Sequence, residues 1–258
     1  MKTKANILFL PILLSILFTS CFHDLFVEGN REVLEEVRTV PDFTKISSSG
    51  SFDIYYEYAE DIEVTVSCES NLIMYIETVV LNDELKIRTP NNISIRAHEP
   101  IEIFVKGPYV TSIQLSGSGL IHTDSIFSEK LHLGTSGTGH IETAFIGGDL
   151  STSISGSGEI HAYADCDLAE ANISGTGKVY IEGQALKADF SISGTGKVYA
   201  YDFPVNELFI NVSGTGDLYV NALDYLETSI SGFAYVYYLG TPELKTTISG
   251  DGEVINQN

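Results

Sequence analysis

The chain has 258 residues, with 14 Lys+Arg against 35 Asp+Glu and a formal net charge of -21. That acidic balance excludes nucleic acid as a partner, because phosphate binding needs clustered Lys and Arg. A hydrophobic content of 43% excludes a disordered chain, and three cysteines (21, 68 and 166) are too few for a disulfide scaffold.

Residues 1–20 read as a secretory signal. Lys2 and Lys4 give a positive start, Ile7 to Phe18 an apolar run too short for a comfortable membrane span, and Thr19-Ser20 a small pair before Cys21. The surroundings of Cys21 are similar to the lipobox of bacterial lipoproteins, with Phe18 where such motifs usually carry Leu. Lipidation of Cys21 is the leading expectation; plain signal cleavage and a retained anchor are the alternatives. Discarding the two signal lysines takes the formal charge from -21 to -23. A body this acidic, held by acyl chains, stands off from anionic surfaces.

Residues 21–42 read as a tether and a lead-in strand, with a short helix over Glu28 to Arg38 as the alternative. Residues 43–258 read as one domain, since no Gly/Ser linker divides it. In its less regular part, 43–112, Ser49-Gly50-Ser51 is an early echo of a later corner motif. Strands are expected at Ile62 to Cys68, Leu72 to Val80, Leu85 to Arg88, Ile93 to Arg96 and Ile101 to Val105, with turns at Asn82-Asp83 and Pro90-Asn91-Asn92. This part is either the start of a solenoid with larger coils or a cap upon it.

Residues 113–255 are regular. Ser-Gly-[Ser/Thr]-Gly recurs at Gly117, Gly137, Gly156, Gly175, Gly194 and Gly214, and continues in altered form at Gly232 and Gly250. Successive spacings are 20, 19, 19, 19, 20, 18 and 18 residues. Apolar residues hold fixed offsets, such as Ile154, Ile173 and Ile192 two before the glycine and Ile160, Val179 and Val198 four after it. Period-two alternation around a glycine corner means two short half-buried strands per unit. One unit cannot bury its own apolar face, so the units must stack into an all-β solenoid, a parallel β-helix with rungs of about 19 residues. A leucine-rich solenoid lacks its Asn and helix pattern here. A hexapeptide helix does not fit spacings of 19 and 20, and a sandwich does not need the same residue at each corner. The open C-terminal end should be capped, shielded or joined to a partner.

Chemistry is sparse. The Ser before each glycine forms a column with no base beside it, so these residues read as structural hydrogen bonders rather than nucleophiles. His122 and His161 share an outward column with Glu142 between them, a His/Glu/His arrangement read as solvent-facing residues rather than a metal centre. Asp165 and Asp167 flank Cys166 without a calcium-loop signature. Cys68 and Cys166 read as buried, unpaired thiols. No catalytic residue, cofactor motif or metal site is assigned. Five residues past the first glycine stand Tyr180, Tyr199, Tyr219 and Tyr237, with Tyr235 nearby. They read as a stacking ladder and as a flat aromatic contact surface for a glycan or protein, though not for a polyanionic sugar.

The lipobox, Phe43 to Ile54, the strand pair Ile62 to Leu72 and the repeats through Gly252 together resemble the family of the putative auto-transporter adhesin, head GIN domain, known from Bacteroidetes. The likeness covers most of residues 38–255. It implies a single-stranded right-handed β-helix, exported and commonly lipid-anchored in the outer membrane, with no catalytic residues to carry over. Phe233-Ala234 departs from the motif and marks a local specialisation. The expected function is a non-enzymatic envelope adhesin binding glycan or protein; an envelope scaffold and, less favoured, a carbohydrate-active enzyme are the alternatives.

Overall fold

Period-two alternation turns every second side chain inward, and stacking sets equivalent inward residues on one another. The computed structural model describes residues 25–258. The expected signal at 1–20 and the lipidation position Cys21 lie outside the described residues. Apart from a 3-10 turn at Ile73–Tyr75, every regular element described is a strand.

The lead-in holds β1 (Leu25–Glu28) and β2 (Val33–Arg38). The helix alternative over Glu28 to Arg38 is thereby corrected. A short charged segment gains little as an isolated helix, whereas here it pairs antiparallel along a sheet edge, Val33 facing Glu69.

The first rung comprises β3 (Lys45–Ser49), a corner at Gly50 and β4 (Asp53–Tyr58). The chain then leaves the stack through β5 (Glu63–Glu69) and β6 (Glu77–Leu81) and re-enters it in β7 (Glu84–Arg88). Asn82 and Asp83 link β6 to β7 with φ of 55° and 62°, the paired left-handed residues of a two-residue hairpin. After β8 (Ile93–Arg96), which pairs with β1, comes β9 (Glu102–Gly107). β7 and β9 lie parallel to β3 and β4 and form a rung on one side of them. β10 (Ser112–Leu115) and the start of β11 (Leu120–Thr135) stack on the other side. Residues 43–112 are therefore both solenoid and cap. Their rungs stack out of chain order, and β5 runs antiparallel to β9 and β2.

From β11 onward chain order and stacking order agree. β12 (His140–Ile154), β13 (Glu159–Ile173), β14 (Lys178–Ile192), β15 (Thr195–Val212) and β16 (Thr215–Ile230) follow in parallel. β17 (Phe233–Leu239), β18 (Glu243–Ile248) and β19 (Asp251–Asn256) complete the last turns. The architecture is an all-β solenoid of parallel rungs. Spacing in the sequence sets register in the sheet. The 19-residue units β12 to β14 stack without a register shift, while the 20-residue spacing between Gly194 and Gly214 is absorbed as an irregularity between Tyr180 and Ala185 in the pairing of β14 with β15.

Inward ladders fill the core. Ile160, Val179, Val198 and Leu218 stack fully buried in one column; in another, Phe190 sits in register with the small Ala171. Each such aliphatic contributes about 1.5–3 kcal/mol by burial. Ser48 and Thr135 interrupt the column that elsewhere carries Ile154, Ile173 and Ile192, and their hydroxyls are buried without partners.

Close approach explains the corners. A Cβ on Gly194 meets the carbonyl oxygens of Gly175 and Ser174, each at 2.2 Å. The second glycine of a corner lies over the aliphatic of the previous rung, as Gly177 does over Ile154. At the departing corner, Ala234 takes the place that Gly216 holds one rung earlier. The corresponding aliphatic is Val212, one carbon shorter than the isoleucines before it. At the far end Leu244 and Ile248 are 44% and 41% exposed. No described segment of this chain caps them.

Candidate functional site: an outward column of rings

Strand parity sends the fifth residue after each corner outward, and the parallel register places these residues in one line. Tyr180, Tyr199, Tyr219 and Tyr237 are consecutive in it. Their ring centroids are separated by 4.6, 5.1 and 5.1 Å, with planes within 10° of parallel. Tyr235 lies on the same side, 6.2 Å from Tyr237. The expectation of a flat aromatic surface needs correction. Neighbouring rings cover both faces of Tyr180, Tyr199 and Tyr219, so along these rungs the column offers solvent a ridge of ring edges rather than ring faces. Burial, followed by Asp217, raises the pKa of Tyr219; its phenol stays protonated and able to donate at neutral pH.

The line extends beyond the tyrosines. His161 tilts against Tyr180 at 4.1 Å, and Glu142 and His122 follow in register. Tyr55 continues it and stacks on Phe104 at 5.3 Å. Tyr55 was legible as the fifth residue after Gly50. Phe104 was not, because its rung stacks out of chain order. Two residues earlier on four successive rungs runs a charged line, with Lys178 bonded to Glu159 at 2.5 Å and Lys197 to Asp217 at 2.7 Å. These half-buried surface pairs flank the ridge and contribute little to stability.

Around the histidines the polar contacts are dense. Glu142 accepts from His122 Nδ1 at 3.1 Å and His140 Nε2 at 3.0 Å, and these bonds lower its pKa. The pKa of His161 is lowered first by burial and then by His140. A shallow cleft of about 360 Å³ opens here between His122, Glu142, His161 and Tyr163. A neighbouring one of about 250 Å³ is lined by Tyr180, Tyr199, Tyr201 and Tyr219.

The serine column differs from expectation. Backbone groups, not hydroxyls, join the rungs at the corner: Ser174 N–H donates to the Ile154 carbonyl at 2.9 Å, whereas its hydroxyl is 3.5 Å from the same oxygen. The hydroxyls instead line an open groove of about 490 Å³, where Ser155, Ser174 and Ser193 run beside Ser153, Asn172 and Ser191. No titratable side chain borders this groove, so no base is at hand to activate a serine. Cys68 and Cys166 are buried and free, as expected. Asp165 bonds Gln184 and belongs to no cluster of three metal-binding side chains among the described residues. No helix among the described residues is long and apolar enough to cross a membrane.

Residues 42–242 match the family described as "Putative auto-transporter adhesin, head GIN domain". No curated protein matches the chain. A crystal structure described as a putative lipid binding protein from Parabacteroides distasonis is similar, with a TM-score of 0.86 and 23% identity over 90% of this chain and 100% of that one. One described as a putative adhesin from Parabacteroides merdae has a TM-score of 0.86 and 21% identity over 90% of this chain and 99% of that one. Another putative adhesin, from Bacteroides fragilis, has a TM-score of 0.70 and 19% identity over 90% and 100%.

Proposed function

The chain belongs to the family of the putative auto-transporter adhesin, head GIN domain, and from that membership we propose that it is an envelope-anchored binding protein whose ligand lies along the tyrosine ridge. In this reading residues 1–20 are an export signal, Cys21 carries the lipid, and 21–42 lead into a single right-handed β-helix domain spanning 43–258. Parallel β crossovers are almost always right-handed, which supports the hand. The lipid holds the chain at the outer membrane, and its acidic body keeps it off anionic surfaces.

One observation carries the assignment of the surface: Tyr180, Tyr199, Tyr219 and Tyr237 repeat at 4.6–5.1 Å with their faces closed to one another. A row of edges and hydroxyls at a constant pitch suits an extended neutral glycan, itself a periodic chain of hydroxyls. The surrounding carboxylates oppose a polyanionic one. Tyr199→Phe and Tyr219→Phe together test this reading. They keep the stack and remove two hydroxyls, so saturable binding on a glycan array should fall with the melting temperature unchanged. Equal binding by wild type and double variant would sink the ridge. Loss on Asn172→Ala with Asn211→Ala instead would move the contact to the serine–asparagine groove.

A second reading, an envelope scaffold, is favoured by the exposed Leu244 and Ile248 on the last rung. It predicts an array without signal and a crosslink from β18 to an envelope protein.

A further inference from the structure

The face that carries the ridge holds a second arrangement at its N-terminal side. His140 and Glu142 lie on β12, Glu159 and His161 on β13, and the register sets His140 beside Glu159 and Glu142 beside His161. Strand alternation turns all four to the same side. Imidazoles and carboxylates therefore alternate at the corners of a square, with the imidazoles on one diagonal. The two rings are 4.4 Å apart, edge to face at 62°. One donor atom from each of His140, Glu159 and His161 lies within 4.8 Å of the other two, a convergence that no other three-residue group of His, Cys, Asp and Glu reaches among the described residues.

An independent observation marks the centre of this group. His161 Nε2 is buried without a hydrogen-bond partner, and the nearest carboxylate oxygen, Glu159 Oε2, stands 3.7 Å away. A buried polar nitrogen left unpaired is costly, and something normally meets it. Glu159 gives its other oxygen, Oε1, to Lys178 and leaves Oε2 on the histidine side. Glu142 backs His140 with a 3.0 Å bond, the carboxylate–imidazole contact that orients a metal-binding histidine. Tyr180 packs at 4.1 Å from the His161 ring.

We propose that His140, Glu159 and His161 form a surface site for a divalent transition cation of the zinc type, bound by two imidazole nitrogens and one carboxylate oxygen, with the remaining positions open to solvent. Two nitrogens select against Ca²⁺ and Mg²⁺, which take oxygen donors, and suit Zn²⁺ or its neighbours. The donors need only side-chain rotation to close to bonding distances of about 2.0–2.2 Å. Lys178 opposes the ion, because it competes for Glu159. The site is therefore of modest strength, and removing that lysine strengthens it.

The test is calorimetric titration of the tag-free full-length chain with Zn²⁺ at about pH 7.5, since metal binding to imidazole and carboxylate competes with protons. One equivalent should bind, with affinity reduced about 10–100-fold in His140→Ala, His161→Ala and Glu159→Gln. His132→Ala should bind as wild type, and Lys178→Met more tightly. In ¹⁵N spectra of the unmutated chain, the His140 and His161 ring nitrogens should shift with Zn²⁺ and not with Ca²⁺, which needs no variant to fold. No saturable uptake of Zn²⁺, unchanged affinity in the His140→Ala/His161→Ala double variant, or equal response to Ca²⁺ would each overturn the site.

Discussion

Tyr199 lies on Tyr219 with ring centroids 5.1 Å apart and planes 1° from parallel. Both side chains also stack on their outer neighbours, so an inner ring has two partners. Aromatic pairs contribute about 0.5–1.5 kcal/mol each beyond the area they bury. Tyr199→Ser should therefore destabilise the solenoid by about 1–3 kcal/mol in urea unfolding, and Tyr199→Phe should cost almost nothing. A serine variant as stable as wild type would show that the stack carries no energy.

The corner chemistry can be tested with three substitutions. Gly194→Ala drives a methyl into two backbone carbonyls that cannot rotate away, and should cost about 3 kcal/mol or more. Val212→Ile should overpack against Ala234 and cost about 1–3 kcal/mol. Adding Ala234→Gly to Val212→Ile should recover most of that loss, because it restores the pairing of isoleucine with glycine found at Gly177, Gly196, Gly216 and Gly252. Simple additivity of the two changes in thermal unfolding would refute the pairing.

Glu69 gives the cap its pH dependence. Its carboxylate is fully buried and accepts backbone N–H groups of Arg31, His98 and Glu99, at 2.5, 2.8 and 3.5 Å. Burial alone would raise its pKa; these N–H bonds outweigh it and leave the value lowered. A lowered folded value means stability that is complete above the unfolded carboxyl pKa, about 4.3, and lost as pH falls through the folded value. Melting temperature should drop below about pH 4.3 in wild type, and Glu69→Gln should flatten that slope. At neutral pH the variant should melt about 5 °C lower.

The two described thiols should be silent. Burial pushes Cys68 up to about 11 and Cys166 up to about 12, the latter aided by Asp165 and Asp167. At pH about 8 almost no thiolate is present to attack. In a Cys21→Ser chain, Ellman's reagent should find no fast-reacting thiol before urea and two after it. A fast thiol in the native chain would contradict the burial.

The glycine spacing, the alternating aliphatics and the tyrosines at a fixed offset specified the rungs, their register and the outward line. Each of these is a relation between neighbours in a strand or between equivalent positions of a repeat, and periodicity records both. What the tertiary structure alone decided lies where stacking departs from chain order or where distance matters in two directions. β7 and β9 insert before β3 and β4, so Phe104 joins Tyr55 without any repeat to announce it. The ridge shows edges rather than faces because the rung rise is about 4.8 Å, too close for anything to enter between the rings. His140 meets His161 across a diagonal of two columns, a contact that no reading along one column contains. Sequence fixes a one-dimensional order, and the solenoid wraps it into a surface whose second dimension is set by which rung stacks on which.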